Sequence, residues 1–596
     1  MISQRSAGAL RATALAATAI AALAAASLAQ SATRTYTLDA DFDLGVLDGV
    51  NHSAPNNNQL QLNATGTTFP VMWIANAGED TVSKFDTVAN KEIARYRTWF
   101  GPTGQAGTRG THGAYSGPAP SRTAVDINGN AYVLNRFFEN KRPVLVKILA
   151  EGFIDRNGNG VMDTSIDDNN DGVIAGGEIK SMADLNGNDR IDDNEITDER
   201  IAWAVEVGSQ NGLGRALCIG TDGNLWVGMY NARTYYKVSS ADGSQLAGPI
   251  STTPTAGNPA GGGSWNPYGC LIDRNGVLWS ASLGSTLGKI ENSASNTGPW
   301  PVSSFAGRSN YGIALGNNKV YLGSANQVFD PSTNTYANIG LTVGGSGIVV
   351  DGSGSIITGS STVQKVSSTG AIQWTTPLQA GGSSAVGVQV DSDNNVWQMG
   401  FVSAGRMQKY RGTDGAPLGV FPVGMFPYTY SDAAGFAARN VTSPTGTWTV
   451  VFDGGAAGTK WGTINWNDIL PQGSAVVVQA RASDSQAGLP LATYQPVSKA
   501  VQFAATGRFI QIQARLNASS TNASPVLLDL TVNSVVTSCD IDLDGDVDSA
   551  DITLIRAGLG QTPVPADPRD ANGDGKITVV DTRACVLRCT RPNCAQ

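Results

Sequence analysis

The sequence predicts a mainly β chain: a β-propeller of about seven blades, then a β-sandwich, with small α-helical loop modules at two acidic segments. Three observations predict this. A pair of short strands joined by a tight turn recurs along residues 67–435, residues 436–536 alternate apolar and polar side chains with period two, and the acidic residues crowd into two places. At 596 residues the chain is also too long for one hydrophobic core, so several domains are expected.

Residues 1–32 read as an export signal. Arg5 and Arg11 precede an Ala/Leu run, and Ser27 and Ala29 give the small residues of a cleavage site. The run lacks a stop-transfer flank, which disfavours a transmembrane anchor, and no later segment is long and apolar enough to span a bilayer. A secreted mature chain without a membrane span is expected. Residues 33–66 do not match the repeat that follows. They stand alone or supply strands to the sandwich, which would then hold the propeller as an insertion.

The repeat is visible in TAVDINGNAYVLNR (123–136), LCIGTDGNLWVGMYN (217–231), GCLIDRNGVLWSAS (269–282), GIALGNNKVYLGS (312–324), GIVVDGSGSIITGS (347–360) and GVQVDSDNNVWQMG (387–400). Each is an apolar run, a Gly/Asn/Asp turn and a second apolar run, the signature of a hairpin. Many copies lead into a third strand such as VLVKIL, YYKVSS or MQKYRG, and MWIANAGEDTVSKFD (72–86) fits as a further copy without the inner turn. A period of about 40 to 50 residues is that of propeller blades, whose faces are buried only when the ring closes. A β-helix or an array of sandwiches remains the alternative. Over residues 67–430 or so the pattern resembles the NHL and streptogramin-lyase-like propellers. Trp226, Trp279 and Trp397 recur at one repeat position, which favours core packing over a sugar platform. Cys218 and Cys270 either pair across neighbouring repeats or are buried as small hydrophobes.

Residues 151–200 carry 14 Asp/Glu against 4 Lys/Arg, and the whole chain has a formal charge of only -9. Charge this dense is either a solvated linker or a cation cage. An oxygen cage for Ca²⁺ needs acid or amide side chains at loop positions 1, 3 and 5, a tight turn at 6 and a carboxylate at 12. Asp167, Asn169, Asp171, Gly172 and Glu178 meet these demands, with Ile174 at position 8. Asp184, Asn186, Asn188 and Glu195 repeat them, with Ile191 at position 8 and Asp189 at the turn, where it must become left-handed. Asp155, Asn157, Asn159 and Gly160 start a third loop, but Ile166 occupies its closing position, so it is degenerate or closed differently. The segment falls between VLVKIL (144–149) and RIAWAVEVG (200–208), the third and fourth strands of one blade, and resembles an EF-hand pair grafted on a propeller.

After the propeller, GTWTVVFDGG, SAVVVQARAS, RFIQIQARL and SPVLLDLTV read as half-buried antiparallel strands of a sandwich over 436–536. Residues 537–596 hold two more loops. Asp540, Asp542, Asp544, Gly545 and Asp551 occupy positions 1, 3, 5, 6 and 12 of the first; Asp570, Asn572, Asp574, Gly575 and Asp581 do so in the second. Each runs into a helix-like stretch, and the duplication resembles type I dockerin modules. That resemblance implies Ca²⁺-dependent folding and docking onto a cohesin-like module. The family's recognition pairs are replaced by Ser549-Ala550 and Val579-Val580, a departure that puts cohesin binding in question and leaves a metal-stapled structural role open. Cys539, Cys585, Cys589 and Cys594 suggest two disulfides of unassigned connectivity.

No basic stripe suits nucleic acid. Only His52 and His112 occur, neither matching the lyase histidine in the later blades, and no G-x-S-x-G elbow or metal-binding His pair appears. Two functions stay in view: a calcium-binding ring that takes a ligand, polysaccharide or extracellular protein, with a tail for attachment; or a secreted polysaccharide hydrolase or lyase whose acids converge at the ring's mouth.

Overall fold

The structure is a computed structural model of the chain that describes residues 32–63, 68–101, 113–171, 173–174, 177–255, 262–442, 444–519, 523–534, 539–542, 546–563, 567–572, 574–590 and 592–595. The export signal, His112, Gly172, Asp544 and Gly545 lie outside the described residues. Residues 34–532 form one compact unit, and residues 533–596 with 1–33 form another. Among the described residues no helix is long and apolar enough to cross a membrane.

Seven small antiparallel sheets among the described residues make the blades. Six have four strands in sequence order, beginning Pro120–Val125, Gly214–Ile219, Gly269–Ile272, Ile313–Gly316, Gly347–Val350 and Ala385–Val390; the first in the chain has three, Val71–Asn76, Thr81–Asp86 and Lys91–Arg97. In place of an inner strand, a segment from the far end of the propeller lies along its inner edge. Tyr428 donates its amide to the Ala75 carbonyl at 2.8 Å, Trp73 donates to Ala433 at 3.0 Å, Phe69 donates to Ala434 at 2.9 Å, and Pro427 bridges Asn76 antiparallel. Joining the chain's ends within one blade closes the ring, so the inter-blade faces become core.

The repeat has a physical reason beyond apolar patterning. In the inner hairpins a turn aspartate accepts the following amides, as Asp391 does from Asp393 at 3.0 Å and Asn395 at 2.8 Å. The second strand then places an aromatic ring opposite a lysine of the third: Trp73 faces Lys84, Tyr132 faces Lys147, Trp279 faces Lys289 and Trp397 faces Lys409. The Lys409 ammonium lies 4.8 Å from the Trp397 ring centre and 3.3 Å from the Asp391 carboxylate, while the Trp397 indole donates to Asp391 at 2.8 Å. Aspartate, aromatic ring and lysine thus satisfy one another inside the blade. Trp226, Trp279 and Trp397 are all buried, so none offers a sugar platform. Cys218 and Cys270 form a disulfide between the inner strands of adjacent blades.

Residues 445–534 build two more sheets, and the N-terminal segment contributes to both. Val46–Asp48 pairs with Thr445–Asp453, and Leu60–Leu62 pairs with Val526–Ser534. The alternation of Phe509–Asn517 turns Ile510, Ile512, Ala514 and Leu516 inward to meet Trp448 and Val450. One helical turn, Ala437–Thr442, links propeller to sandwich, and its buried Arg439 pairs with Asp48 at 2.8 Å.

In the second unit, helices Ser549–Ala557 and Val579–Val586 follow the two C-terminal loops, capped by Asp548 and Thr578. Cys539 bonds Cys585, and Cys589 bonds Cys594. A small core of Ile541, Val547, Ile552, Ile555 and Ile577 completes the module.

Candidate functional site

The inserted segment runs between Val144–Ile148 and Ile201–Glu206, the third and fourth strands of the second blade. It leans on the first blade, where Ile166 bridges Ala94 and Met182 bridges Gly101. Met182 and Ile196 join the aromatic core beneath. Among the described residues of the insert the sole helical element is the single turn Asp193–Glu195, because the chain between loops is drawn into bridges to the blade edge instead of coiling.

The acidic residues fold into their loops in a repeated way. Asn188 donates its amide to Asp184 at 3.1 Å and to Asn186 at 3.0 Å, and Glu195 accepts from Leu185 at 2.6 Å and from Asp192 at 2.9 Å, the amides at loop positions 2 and 9. Asp189 at the turn has φ 62°, the left-handed conformation required of it. In the neighbouring loop Asp171 donates to Asp167 at 3.1 Å and to Asn169 at 2.8 Å, and Glu178 accepts from Asp168 at 3.0 Å. Ile174 is buried.

The third loop is closed by a residue the sequence did not reveal. Asn159 donates to Asp155 at 3.1 Å and to Asn157 at 3.0 Å, as in the other two. Its position 2 amide, Arg156, and its position 9 amide, Asp163, donate to Glu199 at 2.9 and 2.8 Å. Glu199 therefore takes the place that Ile166 leaves empty, from 43 residues beyond Arg156. The backbone holds it there: Glu199 donates to Asp163 and its carbonyl accepts from Ile154. The only hint in sequence is an acid with no loop of its own, just after Glu195.

The C-terminal loops repeat the closure. Asp551 accepts from Ile541, and from Asp548 at 2.9 Å; Asp581 accepts from Asn572 at 3.2 Å and from Thr578 at 2.8 Å. Asp574 donates to Asp570 at 3.1 Å and to Asn572 at 3.0 Å. Carboxylate oxygens of Asp540, Asp542 and Asp551 lie within 4.8 Å of one another, as do those of Asp546, Asp548 and Asp551. Oxygen donors alone, at this spacing, can hold a hard cation. Asp544, predicted for the same loop, is outside the described residues.

A second candidate lies at the centre of the ring. The inner hairpin turns face the sandwich, where Arg515 donates to Asn128 at 2.8 Å and a cavity of about 680 Å³ separates the two. At the opposite end of the inner strands Tyr268, Tyr311, Tyr428 and Tyr430 cluster with Tyr115, Phe138 and Phe401 over Arg122, Arg136 and Arg215. The Tyr428 hydroxyl is central, 2.5 Å from that of Tyr311 and 3.4 Å from those of Tyr115 and Tyr268. Burial alone would raise the Tyr428 pKa, but the Arg136 and Arg215 charges and the hydroxyls of Tyr115 and Tyr268 bring it down to about 7. None of these residues stands out in the sequence by spacing or charge; the Tyr-Gly pair opening two blades, Tyr268-Gly269 and Tyr311-Gly312, is the one local signal. His52 lies elsewhere, between Asp39 and Asp43.

No protein-family model matches the chain and no curated protein matches it. Among solved structures it is similar to a virginiamycin B lyase from Staphylococcus aureus, at 12% identity over 55% of this chain and 90% of that one, TM-score 0.36. It is also similar to a protein from Lactobacillus plantarum, at 11% identity over 61% and 98%, TM-score 0.38. A third is a gluconolactonase from Xanthomonas campestris, at 9% identity over 59% and 97%, TM-score 0.30.

Proposed function

We propose that this chain is an exported, calcium-stabilised propeller that binds a ligand through the face of its ring and carries a C-terminal duplicated loop module for attachment. One observation carries the calcium assignment: in four loops the closing carboxylate accepts both early and late loop amides, and in the Asp167 loop Glu178 accepts the early ones, an arrangement that suits a cage completed by the acid and amide oxygens of positions 1, 3 and 5. Calcium is the cation such flexible oxygen cages suit. Three disulfides favour an oxidising compartment. The attachment reading is supported by the second C-terminal helix, which exposes Val579, Val580 and, at its C-cap, Leu587 at 82%. That apolar face suits an extracellular protein partner such as a cohesin-like module.

Calorimetric titration of chelator-treated full-length protein with CaCl₂ tests this. Three or more equivalents, with a higher melting temperature, are expected. Uptake of fewer than two, or an unchanged melting temperature, would overturn the assignment.

A further inference from the structure

Three arginines at the ring's mouth lack the counter-charge that burial demands. Arg122, Arg136 and Arg215 are 1%, 0% and 8% exposed, and among the described residues none has a carboxylate within ion-pair distance. Each also keeps one guanidinium nitrogen without a hydrogen-bond partner: Arg122 Nη2, Arg136 Nη1 and Arg215 Nε. Their other contacts are neutral. Arg122 donates to the Arg215 carbonyl at 2.6 Å, Arg136 donates to Ala119 at 2.8 Å, and Arg215 donates to the Tyr268 hydroxyl at 3.0 Å. Aromatic faces take up part of the charge, with Arg122 lying 3.5 Å from the Tyr430 ring centre and Arg136 lying 4.5 Å from that of Tyr428. Elsewhere in the ring a buried lysine is paired with an aspartate, as Lys365 is with Asp351 at 2.6 Å, so the mouth departs from the molecule's own rule. Burying three cations is costly, and ionisation of the single Tyr428 hydroxyl offsets one charge at most, which leaves the site short of negative charge until an anion arrives.

The rim tells what carries the anion. Tyr115 is 55% exposed and stands edge-on to Phe138 and Phe401, giving flat apolar surface above the cationic floor. We propose that the mouth binds a ring-borne carboxylate, its acid group seated on the Arg136 and Arg215 forks and its ring against Tyr115 and Phe401. This names the ligand class for the ring face proposed above and does not depend on the calcium assignment. Two sources share this chemistry, the uronic acids of acidic polysaccharides and aromatic acids.

Above about pH 7 the Tyr428 phenolate supplies that one negative charge. An incoming carboxylate replaces it, and Tyr428 takes up a proton from solvent and becomes a hydrogen-bond donor. The groups facing Tyr428 leave it alone to titrate near neutrality: Tyr115, Tyr268, Tyr311 and Tyr430 are all pushed upward, chiefly by burial, and Arg136, lowered to about 10 by burial and then by Arg215, stays charged, as does Arg215. Binding therefore takes up a proton and weakens as pH rises through about 7.

The test is calorimetry on calcium-loaded full-length protein with a galacturonate oligosaccharide, 4-hydroxybenzoate and a neutral galactose oligosaccharide, at acid and alkaline sides of neutrality. An acid is expected to bind and the neutral sugar not to; which acid binds identifies the source. Tyr115→Ala, at an exposed position, is expected to weaken binding by about tenfold, the order of one lost aromatic contact. Tyr428→Phe, which keeps the ring, is expected to flatten the pH dependence. Equal affinity for acid and neutral sugars, no binding of either acid, or an unchanged pH profile in Tyr428→Phe would overturn the inference. A chain that takes up calcium yet ignores both acids fails here and leaves the calcium assignment standing.

Discussion

The Glu199 carboxylate accepts the Asp163 amide at 2.8 Å, across 36 residues of chain, and so finishes a loop whose own twelfth residue is isoleucine. Glu195 stands in the same relation to Asp192, three residues away. The two closures are chemically alike and differ only in the length of chain that delivers the acid.

This relation predicts that Glu199→Gln removes one calcium equivalent. An amide supplies one acceptor oxygen where the carboxylate supplies two, and bidentate closure is lost. Titration should read a stoichiometry lower by one, with Glu195→Gln giving the same decrement from its own loop. An unchanged count in Glu199→Gln refutes the third cage.

One tyrosine should ionise near pH 7, far below the rest. Its folded pKa lies below its unfolded one, so its contribution to stability is present above the unfolded value near 10 and is lost as pH falls through about 7. Spectrophotometric titration should show a single tyrosinate band growing near neutrality in the wild type and absent from Tyr428→Phe. A first ionisation near pH 10 in the wild type contradicts the electrostatics of the mouth.

The ring should open most easily where its ends meet. A Cβ on Gly387 would lie 1.7 Å from the Thr429 carbonyl oxygen, in the segment that closes the first blade. Gly387→Ala must push that segment outward, and overpacking of this kind costs about 1–3 kcal/mol. Denaturant unfolding reads the loss directly.

The disulfide joining adjacent blades should matter by an independent route. Cys218 and Cys270 are 52 residues apart, and a loop of that length corresponds to about 4 kcal/mol of unfolded-chain entropy. The double variant Cys218→Ser with Cys270→Ser should unfold at lower denaturant concentration without loss of bound calcium. Loss of calcium together with stability would mean that the insert depends on this staple.

The exposed aliphatic face of the last helix gives a final expectation. Val579→Ser with Leu587→Ser should leave folding and calcium content intact while abolishing any calcium-dependent capture by a cohesin-like module. Pull-down of the full-length chain, with and without chelator, reads this.

Sequence alone determined what local spacing encodes. The turn aspartates, the period-two strands, the Asp167, Asp184, Asp540 and Asp570 loops and the helices beginning at Ser549 and Val579 all follow from residues within a dozen positions of one another, where side chains meet their own backbone. Tertiary structure decided the rest. Glu199 reached its loop because two strands of one blade hold the insert's ends together. Residues 426–434 line the first blade's inner edge through backbone hydrogen bonds because a ring of seven twisted sheets leaves that edge unpaired. Arg122 and Arg136 come from the second blade, Arg215 from the third and Tyr428 from the segment that closes the first, and they meet only where the inner strands converge, so no periodicity along the chain could place them side by side.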